Sequence, residues 1–446
     1  MGAQEHYKRG IDHQDAGRIA EAEASYRQSL ALDAGQSKAY NNLGCVLQMQ
    51  GRLDEAIAAF KRALEIDPSL AQAQQNLGAL IGGRELLEQA VDGYRRQADA
   101  DPGNALLCHD LGNAYRELGR LKDAVEAFDE AIRRDPQCAQ AHWARALALL
   151  HMGRWKEAWP DAEWRFRVKG LGPRDRGFAK PLWDGSNLEG TLLLHAEQGL
   201  GDSLLFARYA ALAARRCRTL IVECQKPLVR LFGSLEGPAK VVPWDEPLPA
   251  FDAHLPFMSL PGIFGTTPET APWSGPYLQA PPQKSRDWSV LRVPGLRQVG
   301  IVWSGQVGQG DNRKRSLTLN ALAPLAAVDG IRFISLQKDE PARELAKPPA
   351  GMHIIDCGPQ LTDFADTAAA IANLDLVISV DTSVANLAGA MGIPVWVLVR
   401  RDPDWRWLGE PGKTPWYPTA RVFRQEQEGA WEPVVQRVAA ELASLA

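Results

Sequence analysis

The chain has 446 residues, 45% apolar and 23% charged, with a formal net charge of -4 and a pI near 6.1. That length exceeds one ordinary core and implies two or three domains. Mild acidity without a Lys/Arg-rich stripe argues against a nucleic-acid footprint, and no apolar run is long enough to form a transmembrane segment. The opening residues, MGAQEHYKRG, lack the apolar centre of a secretion signal. Six scattered cysteines without C-x-x-C spacing argue against a disulfide framework or a zinc site. These features predict a cytoplasmic protein with no resident metal.

Self-comparison of the N-terminal third finds a period of 34 residues. Gly10, Gly44, Gly78 and Gly112 follow that step, as do Ala22, Ala56, Ala90 and Ala124, and Tyr26, Phe60, Tyr94 and Phe128. Pro68, Pro102 and Pro136 close three of the units. Each unit reads as two amphipathic helices. The small residues let the helices approach, the aromatic fills the gap, and the proline stops the second helix. The pattern resembles the tetratricopeptide repeat, an α-solenoid that mostly binds peptides or proteins. A divergent terminal unit begins near Ala139, and its Trp155, Trp159, Trp164 and Phe166 suggest packing against a following domain. Asn42, Asn76 and Asp110 recur one repeat apart before Leu-Gly. They either form a ladder of groups for an extended peptide or make local helix contacts.

A Gly/Pro-rich connector over 169–190 leads into alternating strand and helix patterns, which imply parallel sheets flanked by helices. Two lobes are expected, over 191–290 and 291–446, following a repeat domain over 1–168. In the first, the strand Thr191–Ala196 ends beside His195, a lesser candidate base. The turn Glu197-Gln-Gly-Leu-Gly-Asp202 follows, with Gly199 and Gly201 allowing a substrate to approach. Asp202 is either a helix N-cap or a base that removes a proton from an acceptor hydroxyl. Leu204 occupies the third glycine position of a dinucleotide fingerprint, which disfavours NAD even though Glu223 lies at the spacing of a ribose carboxylate.

In the second lobe, Ser304 opens a glycine-rich loop that runs to Arg313, Lys314 and Arg315. The loop either closes over a diphosphate or is simply solvated. Gln337 and Lys338, after the next strand, could reach a base or ribose. Asp381-Thr-Ser383 then joins an apolar strand to a helix of small residues. This turn would offer hydroxyls and unpaired N–H groups to an anion, because a helix N-terminus carries partial positive charge.

Taken together, the Glu197–Asp202 turn, the Asp381-Thr-Ser turn with its Leu-Ala-Gly-Ala helix, and Asp404-Trp-Arg-Trp407 resemble bacterial tetratricopeptide-repeat glycosyltransferases. Their catalytic half is similar to the heptosyltransferase family (glycosyltransferase family 9), and the layout resembles O-linked N-acetylglucosamine transferases. The resemblance implies an α/β GT-B fold of two Rossmann-like lobes, with the acceptor on the first and a nucleotide-sugar on the second. It assigns Asp202 as base, Arg315 to the donor phosphates, and Asp381, Thr382 and Ser383 to phosphates and ribose. Asn386 stands where that family usually has histidine.

The expected function is therefore metal-independent transfer of a sugar from a nucleotide-sugar co-substrate, with no other cofactor. The expected acceptor is a Ser/Thr hydroxyl of a protein, such as a flagellin, held by the repeats. The alternative is a non-catalytic adaptor, in which the repeats bind a protein and the α/β half is a degenerate scaffold.

Overall fold

The computed structural model describes residues 2–15, 18–50, 52–68, 70–170, 176–197, 199–305, 312–427 and 429–445. The chain forms two compact units. One is Met1–Pro136 with the short segments Arg400–Asp402 and Gln425–Val434; the other holds the remainder.

The first unit is a helical array: Ala3–Asp15 with Ile19–Leu32, Ser37–Met49 with Leu53–Ile66, then Ala71–Ala100, and Ala105–Glu117 with Leu121–Arg134. Within three pairs the repeat glycine lies flat against the repeat aromatic. A Cβ on Gly10, Gly44 or Gly112 would come within 2.5, 2.6 or 2.4 Å of the Tyr26, Phe60 or Phe128 ring. Those rings are fully buried, so the extra carbon has nowhere to go. Gly112→Ala should cost about 1–3 kcal/mol of stability, visible as a lower urea midpoint of the helical transition; an unchanged midpoint would refute this packing.

The third repeat departs from the expected helix pair. Ala71–Ala100 is one continuous helix of 30 residues. In the fourth and fifth units the turn between helices is made by Gly119 and Gly153, both at φ +75°. One period earlier that position is Glu85. A left-handed turn is costly for a residue with a Cβ, so the helix runs on. Gly78 consequently meets no side chain among the described residues.

In the second unit, the fifth helix pair, Ala139–His151 and Trp155–Ala162, is part of the α/β body. Trp155 stacks on Trp416 at 5.0 Å and meets Trp405 edge-on, while the Trp159 indole donates to the Thr266 carbonyl at 2.6 Å. Repeat register assigns this pair to the array; its aromatic face commits it to the other unit. The short helical turn that follows places Arg165, fully buried, against Glu197.

Two parallel sheets make up the rest. The first contains β1 (Leu188–His195), β2 (Cys217–Cys224), β3 (Pro238–Pro243) and β4 (Ala253–Pro256), in the order β3-β2-β1-β4. The second contains β5 (Arg297–Val302), β6 (Ile331–Ser335), β7 (Ile354–Asp356), β8 (Leu376–Val380), β9 (Val395–Val399) and β10 (Ala420–Arg424), in the order β10-β9-β8-β5-β6-β7. Every residue of β8 and β9 is buried, as parallel strands covered on both faces require. The order reverses beside β5, between it and β8, which is the switch point where doubly wound sheets leave a crevice. β1 and β4 occupy the equivalent place in the first sheet.

Two helical segments are irregular. The one after the Glu197–Asp202 turn is divided into Leu200–Phe206, a 3-10 turn and Ala210–Ala214. Leu319–Ala327 is a 3-10 helix, and Pro324 in its interior has no N–H to donate. β10 and the C-terminal helix Trp431–Ala443 were not anticipated.

Candidate functional site

A cleft of about 820 Å³ opens at the carboxyl ends of β1, β5, β6 and β8. The first sheet contributes Gly199, Gly201 and Asp202; the second contributes Ser304, Arg315, Gln337, Lys338, Asp381, Thr382, Ser383 and Asn386. Eleven positions singled out in the sequence thus line one cavity, although they span nearly two hundred residues. Asp404 and Arg406, from the Asp404-Trp-Arg-Trp407 motif, join them.

Chain connectivity explains the assembly. β5 ends at Val302 and β8 at Val380, so Ser304 and Asp381 emerge side by side at the switch point. Thr382 N-caps the helix Ser383–Ala390, its Oγ1 accepting from the Ala385 N–H and sharing a 2.9 Å hydrogen bond with Ser379. The N–H groups of Ser383 and Val384, in the first turn, have no acceptor among the described residues. Gly201 lets the turn after β1 come close to the helix Ser383–Ala390: a Cβ there would be 3.2 Å from the Asn386 amide nitrogen.

Charge concentrates around Arg406. One of its terminal nitrogens donates to Asp202 at 2.5 Å; the other donates to both oxygens of Asp404 at 2.8 and 2.9 Å. Burial would raise Asp404, but the adjacent Arg406 charge and hydrogen bonds hold its carboxyl below the ordinary range. For Asp202, burial outweighs Arg406 and pushes the carboxyl above the usual range. Burial and the neighbouring Asp404 do the same to Asp381. Two carboxylates with raised affinity for protons therefore share a cavity with two arginines, the pattern in which acid–base groups are found.

Several expected ligand contacts are spent within the protein. Gln337 clamps the strand ends: its Oε1 accepts from the N–H groups of Trp303 and Ser304, and its Nε2 donates to the Ser304 and Lys338 carbonyls. An amide saturated in this way shapes the loop instead of reaching a base or ribose. The Asn386 amide donates to the Thr382 carbonyl at 3.2 Å and accepts from the Tyr417 hydroxyl at 3.0 Å, so it braces the helix start. The Lys338 ammonium, exposed, donates to the Leu361 carbonyl. Of the basic loop after Ser304, residues 306–311 lie outside the described residues, as does the Arg313 side chain; the loop's expected closure over a diphosphate falls there.

His195 is not in the cleft. Its ring is buried against His254, 3.2 Å between nitrogens, and Phe178. Burial first, then the charges of His254, Arg176 and Arg165, push it down to about 3, so it is neutral at physiological pH. Glu223 is buried and paired with Arg176, and it does not line the cleft. The His195 shift has a sign. The unfolded chain takes up a proton near pH 6.5 and the folded chain near 3, so stability falls as pH drops through that window. His195→Asn should lessen the decline by up to about 1.4 kcal/mol per pH unit, measured as urea unfolding free energies at about pH 6.5 and 5.5; equal slopes would contradict it.

The Asn42, Asn76 and Asp110 set also has internal partners. Asn42 donates to the Tyr7 and Tyr26 hydroxyls, Asn76 to Asn41 and Cys45, and Asp110 pairs with His109. Local contacts, the plainer of the two expectations, account for them.

Comparison with known proteins agrees with the repeat reading. The tetratricopeptide repeat family matches residues 37–70 and again 109–163. The chain therefore contains tetratricopeptide repeats, which are protein-interaction modules. A curated relative, Protein FlbA of Caulobacter vibrioides, is 30% identical over 339 residues, 69% of this chain. The chain spans 56% of that relative's length. Solved structures of MamA are also similar. One is 22% identical, covering 37% of this chain and 90% of that one at a TM-score of 0.19; another, from Desulfovibrio magneticus RS-1, is 21% identical over 38% and 94% at 0.19. Likeness at that TM-score carries no weight for architecture or function. No helix among the described residues is long and apolar enough to cross a membrane.

Proposed function

We propose that this chain is a glycosyltransferase of GT-B type, moving a sugar from a nucleotide-sugar to a Ser/Thr hydroxyl of a protein bound by the repeats. One observation carries the reading: Asp202 faces, across a single cleft, Arg315 and the capped start of the helix Ser383–Ala390. That combination supplies a base on one side and an anion cradle on the other. In the reaction, the acceptor O–H gives its proton to Asp202 while its oxygen bonds to the anomeric carbon. The bond from that carbon to the diphosphate breaks, and the nucleoside diphosphate leaves with the electron pair. Arg315, Arg406 and the N–H groups of Ser383 and Val384 meet the charge that builds on it. The cleft volume suits a ligand of this size.

A thermal-shift screen with nucleoside diphosphates and sugar nucleotides tests the reading. A ligand bound only by the folded state raises the melting temperature, by about 2.7 kcal/mol of stability at a hundred times its Kd. No shift with any of them would leave the repeats as a protein-docking module on an inactive scaffold. The internal commitment of the Asn386 amide is what favours that second reading.

A further inference from the structure

We propose that Arg406 is a switch: it grips Asp202 until a nucleotide diphosphate arrives, then transfers to the phosphate and releases Asp202 to act as base. The inference rests on the nucleotide reading above and adds an order to it, donor before acceptor.

The guanidinium is built for two partners. One side is anchored on its own turn, where Asp404 takes two hydrogen bonds from one terminal nitrogen and a third from the Arg406 backbone N–H. The Trp405 ring lies 4.8 Å from its centre and Phe206 5.8 Å, which confines its swing. The other terminal nitrogen crosses to the first lobe and holds Asp202 at 2.5 Å. Its Nε is buried with no acceptor among the described residues.

That grip conflicts with catalysis. A carboxylate oxygen already bonded to a guanidinium is a weaker base, and its lone pair is turned away from an incoming hydroxyl. A diphosphate offers more charge than a carboxylate and accepts the same two-pronged contact, so it outcompetes Asp202 for the arginine. Arg406, Asp202, Arg315 and the first turn at Ser383 line the same cleft, so the transfer needs only a local reorientation. Asp404 keeps its hydrogen bonds to the arginine, and Asp381 remains as a further acidic neighbour. Before the nucleotide binds, Asp202 is thus a competitor for its site.

The test is calorimetric titration of the full chain with ADP, CDP, GDP and UDP, using wild type, Asp202→Asn, Arg406→Gln and the double variant. Asp202→Asn keeps the side-chain shape but gives up the charge that occupies Arg406. It should bind the preferred diphosphate about three- to tenfold more tightly, because the fraction of protein ready to bind rises. Arg406→Gln should bind at least about tenfold more weakly. The gain from Asp202→Asn should vanish in the Arg406→Gln background, since the coupling runs through the arginine. A gain that persists there reflects removal of a distant charge and overturns the switch, as does the absence of any gain in the single variant. Arg406→Gln need not be well folded for that last result to count. If wild type binds none of the diphosphates, the nucleotide reading itself has failed, which is a separate outcome.

Discussion

Asp202→Ala should lower the initial rate of sugar transfer by about 10²–10⁴-fold, the usual contribution of a positioned general base. Asp202 is the carboxylate that the first sheet brings to the cleft after β1, and burial keeps its proton affinity above that of a free side chain. A base with raised proton affinity takes a proton from a hydroxyl more readily, which is the direction catalysis requires. The loss should fall on turnover and not weaken binding of the nucleoside diphosphate, because the helix at Ser383 remains and Arg406 is released from Asp202. Steady-state rates with the preferred sugar nucleotide separate the two. If the alanine variant turns over like wild type, the base lies elsewhere.

Glu197→Ala should cost about 3–5 kcal/mol, the largest stability effect expected. Arg165 is fully buried, and two of its guanidinium nitrogens donate to Glu197 at 2.9 and 3.1 Å. Glu197 also accepts from the Met258 N–H at 3.1 Å. Removing the carboxylate strands a buried charge, for which the more exposed Glu163 compensates only in part. Replacing both partners, as Arg165→Met with Glu197→Ala, should recover some of the loss, because no charge is then left buried. The urea midpoint of the α/β transition measures both. A Glu197→Ala midpoint equal to wild type would show that the pair is dispensable. The site motif and the fold thus share a segment: the turn that delivers Asp202 begins with the residue that clamps the fifth helix pair.

Much of this organisation was legible in the sequence. The repeat announced itself because the glycine–aromatic contact of Gly10, Gly44 and Gly112 needs the same residues in each of those units, and the strands because parallel β8 and β9 are buried throughout. Where one residue broke the pattern, the pattern misled: Glu85 in place of a turn glycine fused two helices that periodicity kept apart. The cleft residues were found because they follow strand ends, and topology gathers strand ends. Side-chain direction was not legible. Gln337 and Asn386 have the right chemistry for a ligand, yet satisfy backbone and neighbouring groups. Nor could spacing reveal Arg406, because its partner Asp202 lies 204 residues away and the tryptophans on either side dominate the local signal.

The most direct test is to incubate the purified protein with the sugar nucleotide it binds best and with extract containing candidate acceptors, then weigh the acceptor polypeptides by mass spectrometry. A mass gain of one sugar on a Ser/Thr-bearing peptide, matched by released nucleoside diphosphate and absent with Asp202→Ala, is the predicted result. Nucleotide release with no sugar on any polypeptide, or no release at all, would contradict the account.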